Sequence, residues 1–136
     1  MNVLLDTHVL IWALTGSPRL SGQETKMILS PENHVCFSVV SLWEIALKNQ
    51  KSPEKCPYHE EQIQAFCEQA GYACLNILPS HILSVRHLRI REGRTLSNLD
   101  PFDRLLIAQA KTEGLLLLSH DRNFENYSED CILLTH

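Results

Sequence analysis

Five short apolar runs limit what this chain can fold into: N-V-L-L (2–5), V-C-F-S-V-V (35–40), A-C-L-N-I-L (73–78), L-L-L-L-S (115–119) and C-I-L-L (131–134). They are continuous rather than alternating, as strands are when helices cover both faces of their sheet. Helical segments fall between them. Residues 8–14 suit a short helix stopped near Gly16 and Pro18. Ser21 followed by Glu24 forms a capping-box pattern for a helix to Leu29, closed by Pro31. Ser41 begins a helix through Asn49, and residues 59–71 form another, ended by Gly71. Residues 80–90 read as helical, and residues 101–113 form a strongly periodic helix with Gly114 as its C′ residue. Loops are expected over 50–58 and 91–100, and a helical turn over 122–127. Strands alternating with helices predict an α/β domain with a central, mostly parallel sheet of about five strands.

Length and composition narrow the class. At 136 residues, the expectation is one domain, 1–136, with a single substantial core. The net charge of −4 advertises no global basic field, which argues against a simple backbone-coating nucleic-acid binder but not against a nuclease. The five cysteines are odd in number and lack a C-x-x-C pair, so they are expected to be reduced thiols, partly core filler. The first five residues lead straight to Asp6, leaving no room for a signal peptide, and no apolar run approaches the roughly 20 residues that span a bilayer. A cytoplasmic location without membrane contact is the expectation.

Acidic residues recur where these runs meet helix starts. Asp6 follows the first run; as a good N-cap it has a structural explanation, although Thr7 could cap instead and leave it free. Asp121 follows the fourth run, with the same two readings. Within D-P-F-D, Asp100 is the expected cap and Pro101 the first helical residue, so Asp103 is not needed as a cap. A helical wheel sets Asp103 at the rim of the stripe formed by Phe102, Leu106 and Ala110. A carboxylate turned that way is costly unless paired or bound to metal. Glu44 has the strongest local explanation without chemistry. It lies three residues after Ser41 and four before Lys48, and the wheel places it with Lys48 and Lys51 opposite Leu42, Trp43, Ala46 and Leu47. Two carboxylates about 4–5 Å apart repel by roughly 3–4 kcal/mol at an effective dielectric near 20, so four together call for a cation. All-oxygen ligation without suitable Cys or His spacing points to Mg²⁺ or Mn²⁺.

Arg86, Arg89, Arg91 and Arg94, with Arg104 nearby, could position phosphates, or could form a solvated surface. His8 and His120 adjoin the acids but are read as hydrogen-bonding packing residues rather than catalysts, and Trp12 and Trp43 as core rather than base-stacking platforms.

The segments L-L-D-T-H-V-L-I-W-A-L (4–14), S-L-W-E-I-A-L-K (41–48), D-P-F-D-R-L-L-I-A-Q-A (100–110) and L-L-S-H-D-R-N-F (117–124) resemble, in order, those of PIN domains of the VapC toxin type. D-P-F-D-R-L-L-I-A-Q-A is the specific piece. The resemblance implies a three-layer α/β/α PIN-like fold in which Asp6, Glu44 and Asp103 form the acidic triad and Asp121 a fourth acid. It thereby overrides the local reading of Glu44. It also implies a Mg²⁺- or Mn²⁺-dependent endoribonuclease, a toxin with a small antitoxin partner, and a homodimer. Two departures stand out: the approach to D-P-F-D over 91–99 is longer than usual, and Asn123 stands where a further acid is common. The competing expectations are a PIN-like module that binds RNA or protein without cutting, and a phosphotransfer enzyme. For the latter, His8 stands where dehalogenase-type phosphatases place their second aspartate.

Overall fold

The computed structural model describes residues 1–95 and 99–135. Five parallel strands form the sheet: β1 (Asn2–Leu5), β2 (His34–Ser38), β3 (Ala73–Leu75), β4 (Leu116–Ser119) and β5 (Ile132–Leu134), in the order β3-β2-β1-β4-β5. Six α-helices are described: α1 (Thr7–Thr15), α2 (Gly22–Leu29), α3 (Val39–Lys51), α4 (Glu60–Ala70), α5 (Pro79–Ser84) and α6 (Pro101–Glu113).

Because strand side chains alternate, each strand feeds two cores. Leu4 and Leu117 join Leu106, Ile107 and Ala110 of α6 on one face of the sheet. Val3, Leu5 and Leu118 join Val9 and Leu10 of α1, Ile45 of α3 and Ile63 of α4 on the other. This is the three-layer α/β/α arrangement, and it explains why the strands carry apolar residues toward both faces rather than in alternation.

The strand order also fixes where a site can form. From β1 the chain builds outward through β2 to β3, then returns to place β4 on the other side of β1. The direction of winding therefore reverses between β1 and β4, opening a crevice at their carboxyl ends. Asp6 and Asp121 follow those two strands.

Several boundaries differ from expectation. The second strand stops at Ser38, whose hydroxyl caps α3 by accepting from the Val40 amide at 3.0 Å. Val39 and Val40 are therefore helical, and Ser41 lies inside the helix rather than at its cap. The third strand ends at Leu75, not at residue 78. The expected helix over 80–90 is α5 followed by one 3₁₀ turn at Val85–His87; Ile90 then pairs antiparallel with Tyr127. The expected loop over 91–100 lies partly outside the described residues, at 96–98. The capping box of Ser21 and Glu24 is present, as are the left-handed glycines Gly71 and Gly114 ending α4 and α6. All five cysteines are free thiols, although Cys74 is exposed and only Cys67 fully buried.

Candidate active site

Asp6 takes the first of the two readings that the sequence left open. It is the N-cap of α1, its Oδ1 accepting from the Val9 amide at 2.8 Å, so Thr7 is not the cap. The other oxygen, Oδ2, accepts from the Ser119 hydroxyl. Ser119 thus joins the ends of β1 and β4, and its Oγ also accepts from the Asp121 amide at 3.1 Å. Burial pushes the Asp6 carboxyl up from 3.8 to about 6, against the Ser119 and Val9 hydrogen bonds and nearby His8, which pull it down.

Thr7 is turned to other work. Its hydroxyl donates to Glu44 Oε1 at 2.6 Å and lies 3.0 Å from Ser41 Oγ. Glu44 is buried, only 4% exposed, whereas Trp43 is 54% exposed. The sequence-based wheel set Glu44 opposite Trp43 and Leu47, and it is the Glu44 side that is buried, with Leu42 partly buried against the core. Val40, Ser41, Glu44 and Ile45 face inward, and Trp43 packs edge-on against Phe102, with ring centroids 4.7 Å apart. The expected Glu44–Lys48 ion pair is real, at 2.6 Å, but it reaches inward to a buried carboxylate.

Asp103 is presented by the first turn of α6. Asp100 caps that helix, its Oδ1 accepting from the amides of Phe102 and Asp103 at 2.8 and 3.1 Å. The Asp103 carboxylate, half-buried, has no hydrogen-bond partner among the described residues. Burial, then the negative charges of Asp100, Glu44, Asp6 and Asp121, push it up from 3.8 to about 8. The carboxylates of β1, α3, α6 and the β4 exit thus act on one group. Asp121 caps a 3₁₀ turn at Arg122–Asn126, its Oδ1 accepting from the Asn123 amide at 2.9 Å. In the positions they occupy, no three His, Cys, Asp or Glu side chains among the described residues are grouped closely enough to hold an ion.

The match to the PIN domain family model runs over residues 3–130. The chain belongs to the PIN domain family. PIN domains are in general nucleases. The PIN fold here is similar to that of a chain in the DNA-bound VapBC from Salmonella typhimurium, at a TM-score of 0.68 and 20% identity, covering 98% of this chain and 97% of that one. VapBC2 from Rickettsia felis, bound to a DNA fragment from the promoter, gives 0.66 and 19%, covering 99% and 98%. VapBC-5 from Mycobacterium tuberculosis gives 0.61 and 20%, covering 98% and 96%. Among curated proteins, no sequence relative is found.

The arginines of this PIN domain have different surroundings. Arg89 is engaged with Glu129: its amide donates to Oε2 at 2.6 Å and its guanidinium to Oε1 at 3.4 Å. Burial pushes the Glu129 carboxyl up, but Arg89 and Lys111 outweigh it and hold it below the usual glutamate range. Arg91 donates its amide to the Asn126 carbonyl at 2.8 Å, which lays this segment beside the turn that follows Asp121. Arg86, Arg91 and Arg94 are exposed, and Arg104 on α6 is half-buried.

Three features were not legible beforehand. Ser119 and Thr7 orient the acids; only their placement beside Asp6 and Asp121 in sequence hinted at it. His120 is a hydrogen-bonding packer as expected, but its partner was not foreseen: its Nδ1 lies 2.9 Å from Oε1 of Glu24, which is fully buried, its Oε2 without a partner among the described residues. Trp12 is only partly buried. It stacks on His8, meets His120 edge-on, and lines a cavity of about 460 Å³.

Proposed function

We propose that this chain is a Mg²⁺- or Mn²⁺-dependent endoribonuclease, a single nuclease domain over 1–136, acting as the toxin of a toxin–antitoxin pair. The observation that carries the reading is the Asp103 carboxyl, which has no hydrogen-bond partner among the described residues and is loaded by burial and by the charges of Asp100, Glu44, Asp6 and Asp121. Such a group is stabilised by a cation rather than by further burial. The donors are all carboxylate oxygens, which suits a hard divalent ion. Asp6, Glu44 and Asp103 would hold it, with Asp121 as a fourth acid. Bound there, the ion would supply Lewis-acid chemistry, lowering the pKa of water and offsetting charge on the scissile phosphate.

The protein groups do the positioning. Ser119 and the Val9 amide fix Asp6, Thr7 and Lys48 fix Glu44, and the Asp100 cap fixes the start of α6 beneath Asp103. Asp121 accepts a hydrogen bond from the attacking water. The water oxygen bonds to phosphorus and the P–O3′ bond breaks. The proton that the water sheds passes through Asp121 to solvent, and the leaving O3′ takes one up from solvent, giving a 5′-phosphate and a 3′-hydroxyl. Arg86, Arg91, Arg94 and Arg104 contact flanking phosphates. Arg89 shares that role only as far as Glu129 releases it.

The solved neighbours are VapBC toxin–antitoxin complexes, which supports a small antitoxin seated near the acids. Exposed apolar side chains on α3 (Trp43, Leu47) and α5 (Ile82, Leu83) support a homodimer. Among the described residues no helix is long and apolar enough to cross a membrane, and we place the protein in the cytoplasm.

The test is cleavage of mixed-sequence RNA with Mg²⁺ or Mn²⁺. EDTA-sensitive products with 5′-phosphates, lost in Asp6→Asn and Asp103→Asn, are the expected result. Absence of cleavage in wild-type protein, or unchanged cleavage in both variants, overturns the nuclease reading in favour of a non-cleaving RNA- or protein-binding module.

A further inference from the structure

The 460 Å³ cavity beside the acids has a lining of opposite character. It lies between α1 and the end of α3 with the turn that follows. Arg19, Lys48, Lys51 and Lys55 line it, and among the described residues no carboxylate does. In a chain of net charge −4, four cations around one cavity form a local field opposed to the global one. Lys48 is drawn to Glu44, but Arg19, Lys51 and Lys55 make no ion pair among the described residues. Like charges left unpaired around a cavity repel one another, and an anion between them relieves that. The same cavity has aromatic walls, Trp12 and Tyr58. Thr7 and Lys48, whose side chains hold Glu44, also line it, so the cavity adjoins the acidic cluster through the partners of Glu44.

We propose that this cavity is a nucleotide subsite. The backbone phosphates of single-stranded RNA next to the scissile bond lie on Lys51, Lys55 and Arg19, and one base lies against Tyr58 or Trp12. The proposal rests on the nuclease reading and deepens it by placing the strand that flanks the cut. Cations alone would serve an acidic peptide equally well. Cations interleaved with aromatic faces, in a volume within the range of small-ligand pockets, favour a nucleotide.

The test is anisotropy of a fluorescein-labelled ten-nucleotide single-stranded RNA in EDTA, so that binding is read without cleavage. It is measured across a salt series for wild type, Lys51→Ala/Lys55→Ala and Tyr58→Ala. Lys51 and Lys55 are exposed, so their removal leaves the fold intact. The double variant should bind about tenfold more weakly near 0.1 M salt. The slope of log affinity against log salt should flatten by about 1.4, at roughly 0.7 for each lost phosphate contact. Tyr58→Ala should weaken binding by about tenfold with the slope unchanged, since a stacked base releases no counterions. Circular dichroism confirms that Tyr58→Ala remains folded. Wild-type slope in the double variant overturns the subsite, whether or not the protein cuts RNA. So does a polyglutamate peptide whose binding depends on Lys51 and Lys55 while that of RNA does not. Loss of wild-type cleavage with the flattened slope retained sinks only the nuclease reading.

Discussion

Thr7 and Glu44 are 37 positions apart in sequence and 2.6 Å apart in space, and their hydrogen bond ties the start of α1 to the middle of α3. It satisfies one oxygen of a buried carboxylate, and Lys48 satisfies the other. Thr7→Val keeps the shape and removes the donor. Losing a hydrogen bond to a charged acceptor should cost about 2 kcal/mol. Thermal denaturation checks the stability loss. A fall in RNA-cleavage kcat of tenfold or more, with Thr7→Ser restoring most of it, checks the positioning role.

Asp100 and Asp103 separate structure from chemistry within one turn. Asp100→Ala removes the cap of α6 and should cost about 1 kcal/mol while leaving measurable cleavage. Asp103→Asn should do the reverse, abolishing cleavage while raising the stability of the metal-free protein. Urea denaturation paired with a cleavage assay on both variants distinguishes them. Equal loss of activity in the two would contradict this division.

Asp103 and Asp6 also set a pH dependence. A carboxyl raised in the folded state binds its proton more tightly there than in the unfolded chain. Its ionisation therefore opposes folding, and metal-free stability falls as pH rises from about 4, the loss from Asp6 being complete by about 6 and that from Asp103 by about 8. Glu129 acts in the opposite sense, its stabilising pairs being lost as pH falls through its lowered value. The metal-free protein should therefore be most stable in weakly acidic solution. With solvent screening, the loss by pH 8 should be on the order of 2 kcal/mol, roughly 5–10 °C in Tm. Mn²⁺ should reverse it at pH 8 and have little effect at pH 5. A flat Tm between those pH values would refute the assignment.

His120 holds the buried Glu24 at 2.9 Å. Removing it in His120→Ala leaves that carboxylate with the Ser21 amide, 3.4 Å away, as its remaining partner. The variant should lose about 2 kcal/mol or more. Glu24→Gln in the same background should recover part of the loss, because a neutral amide tolerates burial better. A double-mutant cycle in denaturant measures the coupling, and additive effects would show that the pair does not interact.

The sequence alone carried the architecture. Continuous apolar runs require a sheet covered on both faces, and the Ser21–Glu24 box, Asp100–Pro101, Gly71 and Gly114 mark helix ends through local chemistry. It also singled out Asp103, because Asp100 already serves as the cap. The tertiary structure decided what local pattern could not. Glu44 sits on a helix whose apolar residues Trp43 and Leu47 face outward, so the wheel could not tell which face is buried. Asp6 divides its two oxygens between a cap and Ser119, 113 positions away. The lysines at the end of α3 gather around a cavity with Arg19 and Trp12 only because α1 packs beside them. Each is a contact between distant segments. Helix periodicity and capping rules act over a few residues; which faces meet is fixed only when the strands assemble in the order β3-β2-β1-β4-β5.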